Sequence, residues 1–182
     1  MSDVKIQNVV ASVDLHQKID LNAIVKTFMN VDYHPKRFPG LVFKLRRPKT
    51  ATLIFSTGKM VCTGARSAKK ARRAVRKVVK ELKEEGFIIK GKPDITIQNI
   101  VSTADMGVRV DLEGVAELLD NVMYEPGMFP GVIYRMKEPR VVILIFHSGK
   151  MVITGAKTGR DAEEAVRKLM ALLRDEDLLM GV

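Results

Sequence analysis

Displaced by 91 residues, the chain aligns with itself without a gap, and this duplication constrains the fold more than any other feature. IQNVVAS (Ile6–Ser12) falls on IQNIVST (Ile97–Thr103), and FPGLVFKL (Phe38–Leu45) on FPGVIYRM (Phe129–Met136). TLIFSTGKMVCTGA (Thr52–Ala65) falls on ILIFHSGKMVITGA (Ile143–Ala156), and AVRK (Ala74–Lys77) recurs at Ala165–Lys168. Two copies are too few for a solenoid. The expectation is one repeat at 1–91 and another at 92–182, forming a pseudo-twofold domain or a tandem pair with a shared core. The linker Lys90–Asp94 (KGKPD) is short enough to keep the copies in contact.

Within a copy the hydrophobic period changes in a fixed order. Val4–Ala11 reads as a β-branched strand, and Leu21–Asn30 as a short amphipathic helix behind an Asp20 cap. Tyr33–Gly40 is a turn segment with two prolines. Strands at Leu41–Arg46, Thr50–Ser56 and Lys59–Ala65 follow, separated by Arg47-Pro48 and Thr57-Gly58, as in a meander. Ser67 then caps a helix reaching about Glu85, with Ala68, Ala71, Val75, Val78, Val79 and Leu82 on one stripe. This order predicts an α+β fold with helices on one side of a mostly antiparallel sheet.

Successive side chains of a strand point to opposite faces. Thr52 and Ile54 therefore oppose Leu53 and Phe55, and Met60 and Cys62 oppose Val61 and Thr63. Helices carrying one apolar stripe each cover only one face. The other presents Val10, Leu53, Phe55 and Val61, and in the second copy Val101, Leu144, Phe146 and Val152. Two arrangements satisfy this count: an open apolar face used for binding, or two copies stacked as a sandwich. Polar residues on the same face favour the first. Asn8 and Asn99 sit beside the valines, Thr63 and Thr154 end the last strands, and neither pair benefits a sandwich core. Lys44/Arg135, Lys59/Lys150 and Arg66/Lys157 lie where they could rim the patch. A·T pairs offer only acceptors in the minor groove, which amide and hydroxyl donors can meet, while an apolar floor leaves the amino group of guanine unpaired. Phe suits wedging between base steps.

Charge agrees with a polyanionic partner. The chain carries +10 overall, distributed as 20 basic against 7 acidic residues over 1–91 and 11 against 14 over 92–182. Apolar content of 46% and charged content of 29% exclude disordered and collagen-like classes. No apolar run is long enough for a membrane helix, and Met1 leads straight into polar residues, so neither a membrane span nor a secretory signal is expected. Cys62 has no partner for an internal disulfide, which fits a reducing compartment. His16, His34 and His147 lack ligand spacing, so no metal or cofactor is expected. Ser148-Gly149-Lys150 echoes a phosphate loop without its full GxxxxGK[ST] pattern or its strand-to-helix context. No catalytic residues emerge. A β-sheet RNA-binding or protein-docking module is the alternative, though the aromatic-rich strand that stacks single-stranded bases is missing.

The doubled IQN, F-P-G and L-I-F-x-[ST]-G-K-M-V-x-T-G-A blocks at constant offset resemble the TATA-binding protein family along essentially the whole chain. The resemblance implies a curved, saddle-like sheet of ten antiparallel strands in two pseudo-symmetric repeats, with helices on the convex side and the concave side in the minor groove of a TATA box. It implies kinking pairs at Phe38 with Phe55 and Phe129 with Phe146, a deformation for which that family is itself the type case. It also implies central hydrogen-bonding residues Asn8, Asn99, Thr63 and Thr154, and a floor of Val10, Leu53, Val61, Val101, Leu144 and Val152, with Pro39 and Pro130 beside the loop phenylalanines. The implied backbone contacts are Lys44, Thr57, Lys59, Arg135, Ser148 and Lys150.

The partners implied are A·T-rich promoter DNA, transcription factor B through the loop carrying Glu125 and Met128, and RNA polymerase through the initiation complex. The exposed concave face also offers a homodimer contact to the free protein. That loop usually reads Glu-Pro-Glu in the family, and here Gly127 replaces the second glutamate. Archaeal members tend to be acidic, whereas this chain is basic through Lys69, Lys70, Arg72, Arg73, Arg76, Lys77 and Lys80. Those residues read either as a solvated convex face or as a docking site for an acidic regulator or second DNA segment. With no low-complexity arm before the first repeat, an archaeal cytoplasmic, nucleoid-associated factor is expected, or a nuclear one if eukaryotic.

Overall fold

The computed structural model describes residues 3–181. The first copy contributes β1 (Lys5–Asp14), α1 (Leu21–Thr27), β2 (Val31–Asp32), β3 (Leu41–Arg46), β4 (Lys49–Ile54), β5 (Lys59–Ala65) and α2 (Ala68–Glu84). The second contributes β6 (Asp94–Asp105), β7 (Arg109–Val110), α3 (Leu112–Leu118), β8 (Val122–Tyr124), β9 (Val132–Met136), β10 (Val141–Ile145), β11 (Lys150–Ala156), α4 (Gly159–Asp175) and β12 (Leu179–Met180). Ten strands form one antiparallel sheet in the order β2-β3-β4-β5-β1-β6-β11-β10-β9-β8, and β12 pairs with β7 apart from it. The fold is α+β, as the sequence predicts.

The chain divides into two compact units, one spanning Asn8–Gln98 and the other built from the segments that flank it. β1 and β6 therefore each contribute to both units. In the 8–98 unit the amide of Gln98 donates to Ser12 Oγ at 2.8 Å. In the flanking unit the amide of Gln7 donates to Thr103 Oγ1 at 3.0 Å.

Local chemistry explains the boundaries. Each helix begins on a short polar cap: the side chains of Asp20, Ser67, Asp111 and Thr158 accept from the N–H of Ala23, Lys70, Gly114 and Asp161. α1 stops at Thr27, short of the expected Asn30, because Phe28 turns inward and packs edge-on against Phe43, with centroids 5.0 Å apart. β1 runs three residues past the expected Ala11, since Ser12, Val13 and Asp14 pair with Val61, Met60 and Lys59.

In the 8–98 unit Ala71, Ala74, Val75, Val78, Val79 and Leu82 of α2 are buried against the sheet, facing Phe43, Ile54, Met60 and Cys62. In the flanking unit α4 buries Ala162, Ala165, Val166, Leu169 and Leu173 and packs on β11, whose buried Met151 and Ile153 pair with buried Ile145 and Ile143. On the opposite faces Leu53, Val61, Leu144 and Val152 stay only half-buried. Ile54→Ala should accordingly cost about 2–5 kcal/mol. Its neighbour Leu53→Ala, on the uncovered side, should cost less than half as much, and urea denaturation of the two variants measures the difference.

Candidate nucleic-acid interface

The burial pattern reproduces the predicted division of faces. Along β4 and β5, Thr52, Ile54, Met60 and Cys62 are buried, while Leu53, Val61 and Thr63 are half-buried. Along β10 and β11, Ile143, Ile145, Met151 and Ile153 are buried, and Leu144, Val152 and Thr154 half-buried. Cys62 packs in the core, where burial pushes its thiol pKa up, as for an inert structural residue rather than a nucleophile. Val10 and Val101 alternate with buried neighbours and belong to the uncovered faces.

Polar groups on these faces are held in a defined orientation. β1 and β5 shift register between Val9 and Ala11, and β11 and β6 shift between Ile153 and Ala156. Gly64 and Gly155 occupy these irregularities at φ +103° and +96°, a conformation that costs other residues dearly. The turned N–H of Gly64 donates to Asn8 Oδ1 at 2.6 Å, and that of Gly155 to Asn99 Oδ1 at 2.6 Å. A backbone N–H can only donate, so each amide oxygen is fixed toward the glycine. The Asn8 amide then donates one N–H to Thr63 Oγ1 at 2.9 Å, and Asn99 donates to Thr154 Oγ1 at 3.1 Å. Among the described residues the second N–H of each asparagine has no acceptor. Each unit thus sets a polar donor in an apolar floor.

A phenylalanine pair stands beside each floor. Phe38 meets Phe55 edge-on with centroids 5.8 Å apart, and Phe129 meets Phe146 in the same way at 5.7 Å. The loops are held by short turns, with Phe38 N–H donating to His34 O and Phe129 N–H to Glu125 O. The F-P-G glycine is a packing requirement: a Cβ at Gly40 would lie 2.6 Å from the Phe38 ring and 3.0 Å from that of Phe55. At Gly131 the same atom would lie 2.9 Å from the Phe129 ring and 3.1 Å from Phe146. Pro39 is exposed in its loop and lines a cleft of about 600 Å³ with Phe55, Thr57, Lys59 and Val61, while Pro130 is exposed in the other loop. A second cleft of about 600 Å³ is lined by Phe146, Ser148, Lys150 and Val152.

Lys59, Lys150, Thr57 and Ser148 are exposed at the β4–β5 and β10–β11 turns, where Thr57 and Ser148 accept from the following lysine N–H. Lys44 is in register with Ala51 and, beyond it, Thr63, and reaches Asp32 at 3.0 Å; Arg135 is exposed on β9. Glu125 and Met128 project from their loop, Met128 at 85% exposure. Sequence reasoning missed further floor residues. Val42 pairs with Leu53 and Ala51 with Thr63; Ile133 pairs with Leu144 and Val142 with Thr154. Continuing the strand alternation one strand outward would have found them.

Comparison with known proteins agrees with this geometry. The model of the family described as transcription factor TFIID, or TATA-binding protein, matches twice, at residues 3–85 and 94–176. The chain belongs to this family. Among its relatives, the TATA-box-binding protein of Pyrodictium occultum is 53% identical over 93% of this chain and 85% of its own length. That of Aeropyrum pernix is 49% identical over 99% and 89%, and that of Archaeoglobus fulgidus 48% identical over 97% of each. The solved structure of Methanococcus jannaschii TBP superposes with a TM-score of 0.86 at 44% identity, covering 95% of this chain and 99% of that one.

This family comprises DNA-binding transcription factors rather than enzymes. Among the described residues no His, Cys, Asp and Glu cluster could hold a metal, and no helix is long and apolar enough to cross a membrane. Gly40→Ala should break the Phe38–Phe55 contact, seen as a shift of the Phe55 ring protons by NMR. Gly127→Ala, where an added Cβ meets nothing within 4 Å, should leave the Phe129 ring resonances in place.

Proposed function

We propose that the uncovered faces seat the minor groove of A·T-rich promoter DNA and that the chain acts as a general transcription initiation factor. The observation that carries this reading is the asparagine amide set in each apolar floor, its oxygen held by a backbone N–H, which leaves one amide N–H free to donate to a ligand. Adenine N3 and thymine O2 accept such a donor, whereas guanine would bring a second amino group against valine and leucine. Each mismatched G·C pair should cost about 1–3 kcal/mol. Each phenylalanine pair wedges into a base step and opens the groove to its floor, a cost that is lowest at the flexible TA-type steps. Lys59 and Lys150, with Thr57 and Ser148, hold the phosphates.

In this reading Glu125 and Met128 contact transcription factor B, which brings RNA polymerase to the promoter. The site of action is the archaeal chromosome in the cytoplasm, and without DNA the apolar faces pair two copies of the chain. A gel shift comparing a TATA duplex with its G·C-substituted counterpart at two salt concentrations tests the central claim; equal binding to both would overturn it. Phe146→Ala should remove most of the bend reported by end-to-end FRET while leaving the thermal unfolding midpoint within a few degrees. Lys59→Ala should weaken all sequences alike and flatten the plot of log affinity against log salt by about one unit.

A further inference from the structure

Asp14, at the end of β1, and Asp94, at the start of β6, line the cleft of the 8–98 unit that also contains Phe55, Thr57 and Lys59. His16 stands between the two carboxylates. Its Nδ1 lies 3.6 Å from Asp14 Oδ2 and its Nε2 3.7 Å from Asp94 Oδ2. Among the described residues the charged lining of this cleft is completed by Lys59, which is in register with Asp14. The imidazole is 62% exposed, so it exchanges protons freely with solvent. His16 also holds a left-handed backbone at φ +56°, with its N–H donating to Asp14 Oδ1 at 2.8 Å. Histidine is found there more often than most residues, yet only glycine meets no steric cost.

The second copy makes the same turn without the histidine. Gly107, at φ +74°, takes the place of His16 and donates its N–H to Asp105 Oδ1 at 2.9 Å. The carboxylates are kept: Asp105 and Asp3 correspond to Asp14 and Asp94 and line the cleft of Phe146, Ser148 and Lys150. Each cleft therefore sets two negative charges beside the groups read as gripping phosphate, and like charges there oppose a polyanion. Only the first copy places a titratable base between them, at a backbone position where glycine is easier. Strain retained in one copy of a shared turn points to a task for the side chain that carries it. Histidine changes charge between about pH 5 and 8. Neutral, it leaves both carboxylates bare; protonated, it donates from both ring nitrogens and cancels one negative charge.

We propose that His16, with Asp14 and Asp94, is a proton-binding site coupled to nucleic-acid binding, so that the 8–98 unit takes up a proton as DNA enters its cleft. The proposal rests on the minor-groove reading of the uncovered face. Phosphates held by Thr57 and Lys59 make the potential at the imidazole more negative, which favours its charged form. The imidazole therefore holds a proton more tightly in the complex than in the free chain. The sign follows by linkage: the state that binds more protons gains as pH falls, so DNA affinity rises from pH 8 to pH 6 and the gain is lost as pH rises again. One proton bounds the effect at about tenfold per pH unit. His34, in the Phe38 loop, and His147, 3.4 Å from the Tyr124 hydroxyl, titrate in the same range, but among the described residues neither has a carboxylate within ion-pair distance.

The test measures binding of the full chain to rhodamine-labelled TATA and G·C-substituted duplexes by anisotropy, at fixed ionic strength from pH 6 to pH 8. Affinity for TATA should be about three- to tenfold higher at pH 6 than at pH 8. His16→Gly, which installs the residue found at Gly107, should flatten this profile, whereas the double variant His34→Asn, His147→Ser should keep it. Asp94→Asn should bind TATA more tightly than the parent at pH 8, since it removes a charge that repels phosphate. Gly107→His, where an added Cβ meets nothing within 4 Å, should create a second such site and steepen the profile. A parent chain whose binding ignores pH, a His16→Gly chain with the parent's profile, or a profile abolished by the double variant would each overturn the proposal. Preference for TATA without a pH profile refutes the proton site and spares the reading of the uncovered face. No preference for TATA at any pH refutes that reading, and the proposal with it.

Discussion

The fold depends on an unequal match between one sheet and its helices. The longer strands carry apolar residues on both faces, yet each unit has one long amphipathic helix, and its stripe covers a single face. Burying Ile54, Met60 and Cys62 beneath α2, and Ile143, Met151 and Ile153 beneath α4, supplies the cohesion of each unit. The same alternation forces Leu53, Val61, Leu144 and Val152 onto the other side, half-exposed. The stability of each unit and its uncovered apolar surface thus arise from one pattern, and neither can be removed without the other.

Glycine sets oriented polar and aromatic groups on that apolar surface. At Gly64 and Gly155 the positive φ turns an N–H out of the strand ladder and toward an asparagine, so a backbone irregularity fixes the direction of a side-chain amide. At Gly40 and Gly131 the missing side chain lets two phenylalanine rings close over the main chain. In both cases the functional side chain is conspicuous in the sequence and the residue that positions it is not. A preorganised donor loses less entropy on binding than one that must first be ordered.

Much of this was legible beforehand because the governing patterns are short-range and written twice. Strand alternation separated Leu53 from Ile54, the polar caps placed the helix starts, and the constant offset supported each assignment with a second copy. What stayed hidden depends on contacts distant in the chain. The early end of α1 follows from Phe28 meeting Phe43, and the Asn8 amide is held by a residue in β5. The division of β1 and β6 between two compact units needs the paired positions of Gln7 with Thr103 and Gln98 with Ser12. Neither the period nor the repeat contains that information. Val42 and Ile133 are a different case, since the alternation reached them and was not carried far enough outward.

Duplication itself gives the charge asymmetry its meaning. Where two copies share backbone geometry, a position that keeps its charge is held by a common requirement, and a position that reverses it is free of that requirement. Lys59 and Lys150 remain lysines at the turn beside the phenylalanine pairs, in keeping with a polyanion that both units grip alike. Arg47, Lys70 and Arg73 face a mate carrying the opposite sign at all three positions, although the lysine anchoring the hairpin carbonyl to the helix is retained in each. The reversal is not confined to these three: Lys26 and Arg72 stand opposite Glu117 and Glu163, so the first copy is basic along both of its helices where the second alternates acid with base.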